Sequence, residues 1–216
     1  MNPDFLTSVS AALASAAEPG RAPAMRAYLR DQFPFLGVGT PQRRAACKPL
    51  LNSVRADALL DHAHALWQLP EREYQYVALD LLALHWKQLP ATDIPALLEL
   101  IQHKPWWDTV DAMAGIIGKV LRGQHDYMDA ALNDGHMWIR RIALIHQLGW
   151  KDKTDTQRLF NYCRALAHEK EFFIQKAIGW ALRDYARHDP EAIRLFTQKE
   201  KERLAPLSFR EANKHL

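Results

Sequence analysis

Helix breakers frame this chain. Proline and glycine fall between periodic apolar runs, at Pro19-Gly20, Pro34, Gly37-Val38-Gly39, Pro70, Pro90, Gly123, Gly135 and Pro190. The runs are rich in Ala and Leu and space their apolar residues for helices; no alternating run argues for a strand. About twelve helices, joined by loops of about two to six residues, fit this punctuation. Alanines followed by apolar residues recur at Ala46, Ala78, Ala112, Ala143 and Ala177, separated by 32, 34, 31 and 34 residues. That is the size of a helix-pair repeat. The spacing predicts an all-α stack, an α-solenoid superhelix with a concave basic face, as a single domain over residues 1–216. Thr40 is expected to cap a helix with Pro41 in its first turn, and Thr92 to cap another.

Composition narrows the class. The chain has 216 residues, with 48% hydrophobic and 25% charged, the balance of a soluble globular protein. A net charge of +3 permits nucleic acid without arguing for it. The start, Met1-Asn2-Pro3-Asp4, has no basic region, and the small apolar run from Ala11 to Ala17 is interrupted by Ser15. A cytoplasmic protein with no membrane partner is expected. Cys47 and Cys163 form no C-x-x-C pair and read as reduced thiols. The ten histidines include His62-x-His64 but no HExxH, so no metal is expected. Gly37-Val38-Gly39 lacks the third glycine and the lysine of a phosphate loop, and there is no GxSxG elbow. No cofactor is implied.

The chemistry concentrates around Lys104-Pro105-Trp106-Trp107-Asp108-Thr109-Val110-Asp111. Pro105 suits the first position of a helix. Trp106, Val110, Met113, Ile117, Val120 and Leu121 then form the core stripe. Trp107 and Asp111, four apart, share an adjacent face, continued by Ala114, Gly115 and Gly118. An indole and a carboxylate over small residues suit an approaching cation or a developing positive charge. The plain alternative is a surface carboxylate paired to a lysine. Asp108 lies in the first turn, where its charge favours the helix dipole. An inverting carboxylate pair of Asp108 and Asp111 is not favoured, because the two are too close.

Two further segments stand out. In Trp138-Ile139-Arg140-Arg141-Ile142, Arg140 is expected in solvent. Arg141 sits at the edge of the core stripe, as a phosphate clamp or in an inter-helix salt bridge. Trp180 lies between Lys176 and Arg183, with Gly179 before it. An aromatic between cations suits a sugar-phosphate backbone, and a core tryptophan is the alternative. Arg43-Arg44 with Lys48 and other basic clusters would make a phosphate track if they shared one side of the stack.

These segments resemble the AlkD family of bacterial DNA alkylation-repair glycosylases. The resemblance runs nearly end to end, through Phe33-Pro34-Phe35-Leu36-Gly37, Thr40-Pro41 with Arg43-Arg44, Trp106-Trp107-Asp108-Thr109-Val110-Asp111, Trp138 with Arg141, Glu171-Phe172-Phe173-Ile174-Gln175-Lys176-Ala177-Ile178-Gly179-Trp180, and Arg210-Glu211-Ala212. It implies HEAT-like antiparallel helix pairs and excision of cationic alkylpurines such as 3-methyladenine and 7-methylguanine from double-stranded DNA. It implies Asp111 as the catalytic aspartate, with Trp107 and Trp180 as the tryptophans at the damaged nucleotide's backbone. Arg141 falls at the same site, and Tyr28 matches an active-site tyrosine on a shorter motif. Arg43, Arg44, Lys176 and Arg183 are the further expected DNA contacts. The resemblance also implies that the lesion is approached from the backbone, without a flipped-base pocket. A monomer is expected. The rival reading is a non-catalytic helical-repeat scaffold for structured nucleic acid or protein, which has no need of an acid between two tryptophans.

Overall fold

The computed structural model describes residues 3–121 and 123–216. Among the described residues all regular structure is helical, thirteen α-helices and five short 3-10 turns. No helix among them is long and apolar enough to cross a membrane. Contacts gather the chain into two compact units, Met1–Ala96 and Leu97–Leu216.

The first unit holds α1 (Pro3–Ser15), α2 (Ala22–Tyr28), α3 (Thr40–Asn52), α4 (Leu59–Gln68) and α5 (Arg72–Leu84). Leu59, Ala63, Leu66 and Trp67 form a helical stripe on α4 and are fully buried, as are Val77, Ala78, Leu81 and Leu82 on α5. The loop before α3 is fixed by Glu73. This carboxylate is wholly buried and accepts the N–H groups of Leu36, Gly37 and Val38 at 3.0, 2.9 and 3.0 Å. Gly37 has φ of 90°, which only glycine adopts cheaply. Thr40 is the first residue of α3 rather than its cap. Gly39 holds the cap position, and its carbonyl accepts from the Arg43 N–H at 2.9 Å. Thr92 lies in the 3-10 turn Ala91–Asp93 that leads into α6 (Ile94–Gln102), so it caps no α-helix.

The second unit holds α7 (Trp107–Leu121), α8 (Asp126–Ala131), α9 (Met137–Ile145), α10 (Thr156–Ala165), α11 (Phe172–Ala186), α12 (Pro190–Lys199) and α13 (Pro206–Ala212). Helix α7 begins two residues after Pro105; the Trp106 carbonyl accepts from the Val110 N–H and closes the first turn. α7 packs on α9, α9 on α11, and α11 on α13. α9 is therefore enclosed on two sides, and seven of its nine residues are buried.

Burial on more than one side overturns one expectation. Arg140 does not project into solvent. Its guanidinium grips Glu169 at 2.6 and 2.9 Å and donates to the Asp134 and Gly135 carbonyls. Such ties recur at about one repeat length. Arg43 reaches Asp80, 37 residues on, and Arg164 reaches Glu200, 36 residues on.

Candidate functional site

Three neighbouring helices of the second unit supply the site. Asp111 stands on α7, one turn after Trp107. Arg141 stands on α9 and Trp180 on α11. The Arg141 fork takes both carboxylate oxygens of Asp111, Nε to Oδ1 at 2.7 Å and Nη2 to Oδ2 at 2.8 Å. Its Nη1 donates to the Phe173 carbonyl at the start of α11. Arg141 is 1% exposed, whereas the Asp111 side chain is 22% exposed. A buried guanidinium thus holds a carboxylate that is still partly exposed.

Trp180 joins through the same arginine, whose Cζ lies 5.4 Å from the centre of its ring. Beneath them Trp106, Trp138 and Phe173 form an aromatic cluster, with ring centres 4.8 to 5.8 Å apart. Edge and tilted contacts of this kind add about 0.5–1.5 kcal/mol each beyond area burial. Phe173 thereby holds in place the carbonyl that Arg141 uses.

Burial pushes the Asp111 carboxyl above its usual range, and the Arg141 hydrogen bonds and charge pull against that rise. Arg141 therefore sits in the inter-helix ion pair that was one of its two expected roles. Its fork is committed to Asp111 and Phe173.

Other expected DNA contacts are also engaged with acids. Lys176 Nζ meets Glu211 Oε1 at 3.0 Å, and Arg183 Nη1 meets Oε2 of the same carboxylate at 2.8 Å. In the first unit Arg43, 6% exposed, and Arg44, largely exposed, share Asp80 at 3.0 and 3.2 Å. Tyr28 ends α2 in the first unit and is 72% exposed.

The strip of small residues beside Asp111 divides in two. A Cβ at Gly118 would collide with the His146 carbonyl, so this glycine serves the close approach of α7 to the end of α9. Gly115 is exposed with open space around it. Gly179 likewise makes room for the protein itself, the Glu211 side chain of α13.

Two participants were not singled out from the sequence. Glu211 lies 35 residues from Lys176 and 28 from Arg183, a repeat-length spacing that could have flagged it. The Phe173 carbonyl is a backbone group and leaves no mark in the sequence.

Residues 9–216 match the family model described as DNA alkylation repair enzyme. A solved structure titled a predicted DNA alkylation repair enzyme from Enterococcus faecalis is 33% identical, with a TM-score of 0.85. The match covers 93% of this chain and 96% of that one. A comparison with curated proteins found no match. The family model matched over residues 9–216, together with 33% identity to that structure across nearly the whole of both chains, places this chain in the DNA alkylation repair enzyme family.

Proposed function

We propose that the protein is a DNA glycosylase that hydrolyses the N-glycosidic bond of cationic alkylpurines, 3-methyladenine or 7-methylguanine, in duplex DNA. The observation that carries this reading is the partly exposed Asp111 carboxylate, held at both oxygens by a buried arginine. A carboxylate so fixed is preorganised for a positive charge that forms only during reaction.

The chemistry needs little else. In a 7-methylguanine nucleotide the base already carries positive charge. When the C1′–N bond breaks, its electron pair goes to the base and neutralises it. The sugar becomes oxocarbenium-like, and the Asp111 charge stabilises it. A water oxygen bonds to C1′, and its proton passes to the Asp111 carboxylate and then to solvent. The products are a neutral methylated base and an abasic sugar. Trp107 and Trp180 would flank the sugar and add cation–π attraction of about 0.5–2 kcal/mol. Arg141 acts through Asp111, by fixing its oxygens.

The test is release of free base from methylated duplex DNA. Asp111→Asn keeps the side-chain shape and removes the charge. It is expected to bind DNA like the parent and to lose on the order of 10²–10³ in single-turnover rate. Excision within a few-fold of the parent would remove Asp111 from the mechanism.

A further inference from the structure

We infer that Glu211 is a positioning residue for this site, acting through Lys176 to keep the surroundings of Trp180 receptive to a cationic nucleotide. The inference rests on the glycosylase reading above.

Two cations lie near the Trp180 ring. Arg141 Cζ is 5.4 Å from its centre and Lys176 Nζ is 5.8 Å away. Uncompensated, they would repel a positively charged base or sugar from the same indole. Each is met by a carboxylate from a neighbouring helix: Arg141 by Asp111 of α7, Lys176 by Glu211 of α13. Trp180 thus stands between two cations that each hold a carboxylate, Glu211 being shared with Arg183, and only the Asp111 pair belongs to the chemistry proposed above.

The geometry fixes Glu211 as firmly as a site residue. Its side chain is 12% exposed and bonds Lys176 and Arg183 at 3.0 and 2.8 Å. Those bonds hold its carboxyl below the usual carboxylate range, so it stays charged. A Cβ on Gly179, the residue before Trp180, would collide with the Glu211 Cβ and lie 3.1 Å from the Ser208 carbonyl oxygen. Ser208 Oγ donates to the Gln175 carbonyl at 2.9 Å. α13 is therefore seated on α11 at the turn that carries Trp180.

Removing the charge alone has a signature that a packing defect lacks. Glu211→Gln frees Lys176 and Arg183. Extra positive charge attracts phosphates, so affinity for undamaged duplex should hold or rise. The same charge beside Trp180 opposes a cationic nucleotide, so excision should fall. The fall should be about ten-fold, the order expected of one unit charge acting through partly solvated protein.

The experiment compares the parent, Glu211→Gln, Glu211→Asp and the double variant Glu211→Gln/Lys176→Met. Single-turnover release of 7-methylguanine is measured from methylated duplex. Affinity is measured for duplexes carrying a cationic pyrrolidine or a neutral tetrahydrofuran in place of one sugar. Glu211→Gln should excise about ten-fold more slowly and lose preference for the pyrrolidine duplex, with tetrahydrofuran affinity kept or raised. Glu211→Asp keeps the charge and should retain most of the rate. The double variant removes the lysine along with its partner and should excise faster than Glu211→Gln and regain preference for the pyrrolidine duplex over tetrahydrofuran; if Glu211→Gln does not fold, Glu211→Asp decides, by keeping that preference. Unchanged excision by Glu211→Gln, a double variant with no more pyrrolidine preference than Glu211→Gln, or a Glu211→Asp variant that loses the preference overturns the role of Glu211. If the parent releases no base, the glycosylase reading fails instead, and the pyrrolidine comparison still decides whether Glu211 governs cation preference.

Discussion

Asp111 and Arg141 define each other at the scale of single residues. The arginine is buried, and its planar fork spans both carboxylate oxygens and the Phe173 carbonyl. Lysine is a point charge and cannot make that span. Arg141→Lys should therefore slow excision strongly while leaving affinity for undamaged duplex nearly unchanged. A phosphate anchor would show the reverse, weaker binding with chemistry kept, so measuring affinity and single-turnover rate together separates the two. Arg141→Ala breaks a buried pair and should destabilise by about 3–5 kcal/mol in urea unfolding. Excision should also respond to pH with a definite sign. The reaction needs the ionised carboxylate, and burial raises the Asp111 pKa. The rate should fall as pH drops through a limb lying above the ordinary aspartate value of about 4. Asp111→Asn should abolish that limb; a limb that persists in the variant belongs to another group. Spacing and the family resemblance together singled out Asp111, Trp107 and Trp180, and the fold brings Asp111 and Trp180 to the same arginine. The partner of Arg141 was not. A helical wheel gives the direction of a side chain on its own helix and says nothing of which helix faces it.

Two glycines of α7 differ by what faces them at the scale of elements. Gly118 lies against the His146 carbonyl and 3.3 Å, by its missing Cβ, from Trp150 Nε1. Gly118→Ala must push α7 away from the end of α9, and overpacking of this kind costs about 1–3 kcal/mol. Gly115, three residues earlier, has nothing within 4 Å of such a Cβ. Gly115→Ala should stabilise by about 0.4–1 kcal/mol, because alanine loses less backbone entropy in a helix. Thermal melts of the two variants should shift in opposite directions; shifts of the same sign would mean that α7 does not approach α9 in this way. Periodicity located α7 and its buried stripe well, since Val110, Met113, Ile117, Val120 and Leu121 are all in the core. It misread Gly118 among the small residues beside that stripe. A gap for a ligand and a gap for another helix have the same composition. Arg140 was misread for a related reason: α9 has neighbours on two sides, and a single-stripe reading allows for one.

Repeat-length ties run within each unit at the largest scale, and acid should weaken the fold in two steps. The repeat of 31 to 34 residues was visible in the alanines. Which charges would bridge one repeat to the next was not, because acids and bases alternate too freely along the surface. The first acid step belongs to a histidine pair. His146 is 1% exposed, and its Nδ1 donates to the Ala143 carbonyl at 2.7 Å. Its Nε2 then accepts from His125 Nδ1 at 3.1 Å. Burial lowers the His146 pKa from 6.5 to about 4. The unfolded chain thus takes up a proton near pH 6.5 that the folded chain refuses until about pH 4. This stability is complete above about pH 6.5 and is lost progressively on the way to pH 4, amounting to about 3 kcal/mol. The second step belongs to carboxylates. The Arg158 hydrogen bonds bring Asp129 down to about 2, so its contribution is present above its ordinary value of 3.8 and fades only as pH falls toward 2. Urea unfolding followed by tryptophan fluorescence at pH 7 and pH 4 isolates the first step. The parent should lose about 3 kcal/mol between the two. His146→Gln keeps an amide able to serve Ala143 and His125 but takes up no proton, so its loss should be much smaller. Some loss should remain, because burial lowers His125 as well. Equal losses in parent and variant would show that His146 does not carry the first acid step.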